Sequence, residues 1–303
     1  MDGLLIIDKP RGLTSHDVVL EIRRLLGLAR VGHGGTLDPE ATGVLLVALG
    51  QAVRFFPYLS GHDKVNDGSI RLGYATDTYD ASGRPTSEDK ASALPSGDEV
   101  RAAMKNLEGE ILQVPPPYSA KKIAGRPAYE LARARQEVRL EPVRVRILAF
   151  TLRGYAPPFV AFEARCSSGT YVRSLAHDLG KALGCGAHLH ELRRTVSGPY
   201  TVGMAVGLEA VRRAAAAGRA GELVLPLEEL LPETAKVVLV PEAVGRARNG
   251  SALFPEHVAG PLRDALLSSQ GSLFRVFEPS GRLLGLARPS PARDALKPFL
   301  VLR

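Results

Sequence analysis

The chain has 303 residues, 45% apolar and 23% charged, the balance of a globular protein with room for one large domain and a smaller one. No apolar run approaches the roughly 20 residues that span a bilayer, and the opening Met1-Asp2-Gly3-Leu4-Leu5-Ile6-Ile7-Asp8 lacks the pattern of a signal peptide. Two cysteines, Cys166 and Cys185, cannot build a structural zinc site or a disulfide scaffold, and a net charge of +7 favours a polyanionic partner without specifying one. The expectation is a reduced, cytoplasmic protein with no membrane contact.

Leu4–Ile7 is a short apolar run that reads as a buried strand ending at Asp8-Lys9-Pro10. Thr14 or Ser15 caps a helix whose Val18, Ile22, Leu25 and Leu26 share a face, with Gly27 as its stop. A glycine-rich loop, Val31-Gly32-His33-Gly34-Gly35-Thr36-Leu37-Asp38-Pro39, precedes a second buried run at Val44–Leu49. Glycines 32, 34 and 35 permit unusual φ values, and Pro39 favours an extended Asp38. Asp38 then either serves chemistry at the mouth of a cleft or closes an Asx-turn on its own backbone.

Residues 64–74 read as a strand and Thr76–Pro85 as turns, after which Ser96 caps a helix carrying Val100, Met104 and Leu107. Val114-Pro115-Pro116-Pro117-Tyr118-Ser119-Ala120-Lys121-Lys122 breaks regular structure. It reads as an insertion with a basic tip, followed by a short helix near Tyr129–Arg135. Pro142–Leu152 alternates like a strand exposed on one face, Phe159–Cys166 is another strand, and a helix runs from about Tyr171. Past Pro232, Val237–Val240, Leu273–Phe277, Leu283–Ala287 and Phe299–Leu302 are short strands that suggest a closed or nearly closed barrel. The class is α+β, with a mixed, largely antiparallel sheet flanked by helices.

Several chemistries are excluded. There is no Gly-x-Ser-x-Gly elbow, no Walker-type phosphate loop and no Pro-Cys-x-x-Cys deaminase segment. His188 and His190 lack a third clustered ligand and read as polar residues near a helix end, so no metal site is expected. In Gly169-Thr170-Tyr171-Val172-Arg173, Tyr171 either lies against a base or packs at an interface, and Arg173 either pairs with Asp38 or is solvated.

Six ordered blocks together resemble the TruB family of tRNA pseudouridine synthases over nearly the whole chain. They are Asp8-Lys9-Pro10-x-Gly12-x-Thr14-Ser15-His16; Gly32-His33-x-Gly35-Thr36-Leu37-Asp38-Pro39; Arg71-Leu72-Gly73 with Thr76-Asp77-Thr78-Tyr79-Asp80; Pro115-Pro116-x-Tyr118-Ser119-Ala120-Lys121-Lys122; Gly169-Thr170-Tyr171-x-Arg173; and Leu183–His188 ahead of Leu192-Arg193-Arg194-Thr195. The resemblance implies isomerisation of uridine-55 in the tRNA T loop, without metal or other cofactor, by a monomer. It implies that Asp38 is the catalytic carboxylate and Arg173 its partner, with His33 stacking where the base leaves the loop. Tyr171 and Leu192 would line the uracil pocket, and Asp80 would engage RNA. Lys121 and Lys122 would sit on an RNA-clasping insertion (112–140) within a catalytic domain (1–232). Residues 235–303 would form a PUA-like RNA-binding domain on the acceptor side of tRNA.

One position departs from the family. Lys64-Val65-x-Asp67 carries a tyrosine at its middle position in the family, stacked on the flipped uracil, and here that position is Asn66. An amide offers no ring face. The expectation is a synthase scaffold with impaired turnover, and the alternative is a tRNA-binding or tRNA-folding protein that makes no product. A guide-RNA-dependent synthase ranks lower, since the chain carries the tRNA-type insertion and no extended basic tail.

Overall fold

A computed structural model describes residues 1–90, 93–119, 121–123, 126–127, 140–261, 273–291 and 294–302. The chain opens with β1 (Gly3–Lys9) and α1 (Ser15–Leu26). Thr14 and Asp17 form a reciprocal capping box at the start of α1, and Gly27 ends it at a left-handed φ of 62°. β2 (Val31–Gly34), β3 (Thr42–Leu49), the single helical turn α2 (Phe56–Leu59) and β4 (Lys64–Leu72) follow. Next come α3 (Gly97–Asn106), β5 (Gly109–Gln113), and the two-residue strands β6 (Lys122–Ile123) and β7 (Arg126–Pro127). β8 (Val143–Ala156), β9 (Phe159–Cys166), α4 (Val172–Ala182), β10 (Ala187–Ser197), β11 (Tyr200–Thr201) and α5 (Leu208–Ala216) complete the larger part. The helix expected near Tyr129–Arg135 lies outside the described residues.

The main sheet has nine strands in the order β1-β3-β10-β4-β9-β8-β5, with β2 on β3 and β11 on β10. Its pairings are antiparallel except that β10 runs parallel to β3. That crossing requires glycine: Gly43 has φ +98°, and a Cβ there would lie 2.1 Å from the Arg194 carbonyl oxygen. Two sequence expectations are corrected here. Residues 31–34 form a strand, not loop, and His188 and His190 lie on β10, not at a helix end.

β1 and β3 are buried on both faces. Leu5, Ile7, Leu45 and Val47 face α1 and α5, while Leu4, Ile6, Val44 and Leu46 join a second cluster on the opposite side. This second cluster also contains Phe277, Leu283, Leu286, Leu300 and Leu302, so the C-terminal unit packs directly on the main sheet. A third cluster holds α3 and α4 against β4, β8, β9 and β10 through Val100, Met104, Leu175 and Leu179.

The C-terminal unit contains β12 (Ala235–Val238), β13 (Phe274–Phe277), β14 (Leu283–Pro289) and β15 (Leu296–Val301), in that spatial order. The expected barrel closure is absent among the described residues. β12 and β15 stay at opposite edges, and the segment between β12 and β13 contributes single bridges, Leu239 to Val258 and Leu253 to Leu296. Its Pro241, Pro255 and Pro261 cannot donate to a continuous ladder. Arg275 secures the connection between the units, donating to the carbonyl oxygens of Glu228, Leu230, Pro232 and Thr234 at 3.1–3.3 Å.

Candidate active site

Asp38 sits in the turn between β2 and β3, and that turn is held at Gly35, Leu37 and Pro39. Arg194, buried on β10, donates to the Gly35 carbonyl at 3.0 Å and to the Val44 carbonyl at 2.8 Å. The Ser15 hydroxyl accepts from the Leu37 N–H and donates to the Leu37 carbonyl. Lys9, fully buried at the end of β1, donates to the carbonyls of Pro10, Leu13 and Pro39 at 2.8, 2.7 and 3.1 Å. Burial pushes its ammonium down to about 8, although Asp38 and Glu40 pull the other way. Burial likewise lowers Arg194 to about 10, still charged at neutral pH.

The glycines work differently from the expectation. Only Gly35 of the three needs a positive φ, at +84°. Gly32 and Gly34 make room for the Phe56 ring of α2, which a Cβ at either position would meet at about 3 Å.

Arg173 comes from the first turn of α4 and its side chain is 7% exposed. One Nη donates to Asp38 Oδ1 at 2.7 Å and to the Tyr118 carbonyl at 3.1 Å. The other donates to the Thr78 carbonyl at 3.2 Å and lies 3.5 Å from Asp80 Oδ2. The Asp38 side chain is 35% exposed. Asp38, Asp80, Arg173 and Leu192 line one open cleft of about 250 Å³, whose rim includes Arg11, Glu40 and His190. Asp80 is itself fixed by the Thr78 hydroxyl at 2.7 Å and the Ser82 N–H at 3.0 Å.

Tyr171 caps α4 beside this cleft. Its backbone N–H donates to Gln113 Oε1 at 2.8 Å, and Gln113 Nε2 donates back to its carbonyl at 3.0 Å. Burial raises its phenol, with the nearby Ser119 hydroxyl and Arg173 charge opposing. His33 lies on β2, half-buried, its Nδ1 enclosed without a partner. Burial, with His16 and Arg194 adding, holds its imidazole below the usual range and therefore neutral. Lys121 Nζ donates to the Glu141 carbonyl at 3.3 Å. Lys122 is described only as backbone, in β6.

Asn66 is buried on β4, and its amide donates to Cys166 Sγ at 3.7 Å. Lys64, two residues earlier and on the same face, comes within 3.6 Å of where a Gly35 Cβ would stand. Asn66 thus shares a strand face with Lys64 and does not line the open cleft. The structure brings Asp38, Arg173, Asp80 and Leu192 together, with Tyr171 at their side. His33 and Asn66 are not among the residues that line the cleft. Sequence reasoning missed Gln113, Ser15, Lys9 and Arg194 as supports; Lys9 and Ser15 stand within the first matched block and Arg194 within the last.

The family model for the TruB pseudouridylate synthase N-terminal domain matches residues 23–172, and that for the tRNA pseudouridylate synthase B C-terminal domain matches residues 173–232. The chain belongs to the TruB family of pseudouridylate synthases. It is 42% identical to tRNA pseudouridine synthase B of Syntrophotalea carbinolica over 100% of this chain and 97% of that protein. It is 44% identical to the protein of that name from Burkholderia pseudomallei, over 96% of this chain and 94% of the relative. Among solved structures, an H/ACA ribonucleoprotein bound to a substrate RNA containing 2′-deoxyuridine superposes with a TM-score of 0.73 at 26% identity, covering 99% of this chain and 85% of that one.

Proposed function

We propose that this TruB-family protein isomerises uridine-55 in the T loop of tRNA to pseudouridine, with Asp38 as the catalytic carboxylate. The observation that carries the reading is the Arg173–Asp38 pair at an open cleft. One carboxylate oxygen is fixed by the guanidinium at 2.7 Å, and the other has no hydrogen bond to the protein among the described residues. In the reaction the N1–C1′ bond breaks, the uracil rotates and a C5–C1′ bond forms. C5 loses its proton and N1 gains one, so the reaction is an isomerisation with no net oxidation. Attack at C1′, addition at C6 and removal of a sugar proton all need a carboxylate oxygen fixed beside ribose and base, and a fixed charge costs little reorganisation during reaction.

A base inside a folded loop has to be extruded to reach such a cleft. In this reading the neutral His33 ring occupies the vacated stack, Tyr171 and Leu192 bound the uracil, and Asp80 holds Arg173 while meeting the RNA. Lys121 and Lys122 attract its backbone, and the C-terminal unit (235–303) grips the acceptor side. Base–aromatic stacking contributes about 1–3 kcal/mol per base. We place the protein in the cytoplasm as a monomer; no helix among the described residues is long and apolar enough to cross a membrane.

A second reading, tRNA binding without turnover, draws on the Asn66 amide, which lies buried against Cys166 and offers no ring to a base. Carbodiimide mapping of an unmodified tRNA transcript incubated with the protein alone separates the readings. A new reverse-transcription stop one nucleotide 3′ of position 55 supports the synthase. Tight binding with no stop supports the second reading, and a stop that appears only with added guide RNA supports a ribonucleoprotein enzyme.

A further inference from the structure

Tyr79 and Leu231 are the non-glycine residues with positive φ among those described, at 64° and 55°. An L side chain is disfavoured in that conformation, so something else must hold Tyr79 there. Its ring lies flat on the His177 imidazole, with centroids 3.8 Å apart and planes 8° from parallel. His177 follows Arg173 by four residues on α4, so the two side chains emerge from one face of the helix. That face grips three consecutive residues of one turn: Arg173 takes the Thr78 carbonyl and the Asp80 carboxylate, and His177 takes the ring between them. The far side of the turn is fixed to β10, where Leu189 N–H donates to the Tyr79 carbonyl at 3.0 Å and Ala81 N–H donates to the Leu189 carbonyl at 2.9 Å.

The His177 Nδ1 is buried and has no hydrogen-bond partner, which leaves the flat contact as its visible role. Burial lowers its basicity, giving an uncharged ring at neutral pH. Tyr79 and His177 are both absent from the residues that line the cleft.

We infer that Tyr79 and His177 are a positioning pair: their stack presses the Thr78–Asp80 turn onto α4 and thereby sets the direction from which Arg173 holds Asp38. Without the stack, Tyr79 has reason to leave its left-handed conformation, and the Thr78 carbonyl and Asp80 move with it. Arg173 would keep its charge but lose two of the four acceptors that aim it. The inference rests on the proposed synthase reading for its kinetic consequence, though not for its geometry.

The test uses the full-length protein and a tRNA labelled with tritium at C5 of uridine, read as single-turnover tritium release, with tRNA affinity and melting temperature measured in parallel. Tyr79→Ala and His177→Ala are expected to slow release about tenfold or more, the scale of a small misplacement at a reacting centre, with tRNA affinity retained. Tyr79→Phe and His177→Phe keep a flat ring pair and are expected to restore the rate. A purely structural role predicts the opposite pattern, a fall in melting temperature with a normal rate per folded molecule. The guanidinium NMR signals of Arg173, assigned with Arg173→Lys in the RNA-free protein, supply a readout that needs no turnover. They should broaden in His177→Ala and stay sharp in His177→Phe. Wild-type rates with unchanged Arg173 signals in both alanine variants would overturn the inference. An inactive wild type whose Arg173 signals respond as described would instead overturn the synthase reading alone.

Discussion

Ser15 holds the Leu37 peptide at both ends, accepting its N–H at 2.9 Å and donating to its carbonyl at 3.1 Å. Both residues are buried, and Leu37 immediately precedes Asp38. Ser15→Ala leaves two buried backbone groups unpaired, a loss of about 1–3 kcal/mol. Urea unfolding should report that loss, and turnover at a temperature where the variant is fully folded should also fall. Unchanged stability would mean that water or a backbone shift replaces the hydroxyl.

Arg173 reaches its four acceptors from two Nη atoms. A lysine concentrates its donors on one nitrogen and cannot span that set. Arg173→Lys is therefore expected to lower the single-turnover rate roughly 10–100-fold, the equivalent of about 1.5–3 kcal/mol for a hydrogen bond to a charged group, with tRNA binding retained. A rate near that of the wild type would show that positive charge alone suffices.

Lys9 predicts a pH signature. Its ammonium supplies three donors to three carbonyls and is held down to about 8 by burial. Above that value the neutral amine keeps two N–H donors, so the Asp38 turn loses one tie and turnover should decline on the alkaline side. Stability should move the other way. The native pKa lies below the usual 10.5 of the unfolded chain, so between about 8 and 10.5 the unfolded state binds more protons and stability from this group rises with pH. Below about 8 both states hold the proton and the contribution is level. A rate that stays flat through pH 9 would remove Lys9 from the account.

Asn66→Tyr tests the departure from the family. Asn66 is buried with its amide on Cys166 Sγ, so a tyrosine ring there has to find room beside that thiol. The variant is expected to turn over faster than the wild type on the same tRNA, with melting temperature checking that the larger side chain is accommodated. Equal rates in the two proteins would mean that Asn66 carries no penalty.

Where residues pack in periodic apolar patterns, the fold was legible in the sequence. The α1 helix begins at the Thr14 cap and stops at Gly27 as expected, and β9 runs over the expected Phe159–Cys166. β10 was not legible because His188, His190, Glu191, Arg193 and Arg194 break any apolar alternation. Their polarity belongs to a strand that serves the cleft and the Asp38 turn, with bulges at two points in its pairing with β4. β2 was hidden by glycines that make room for Phe56. In the candidate site, the Asp38–Arg173 pairing was legible as one of two open readings of Arg173. The supports were not, because Arg194, Ser15 and Gln113 act through backbone groups far away in sequence, which spacing does not reveal.

The most direct measurement is tritium release from C5-labelled uridine in tRNA by Asp38→Asn, which keeps the side chain's shape and removes its charge. The account predicts tRNA binding like that of the wild type and no release above background in a single turnover. Release at the wild-type rate would contradict it, because the anchored carboxylate would then have no part in the chemistry.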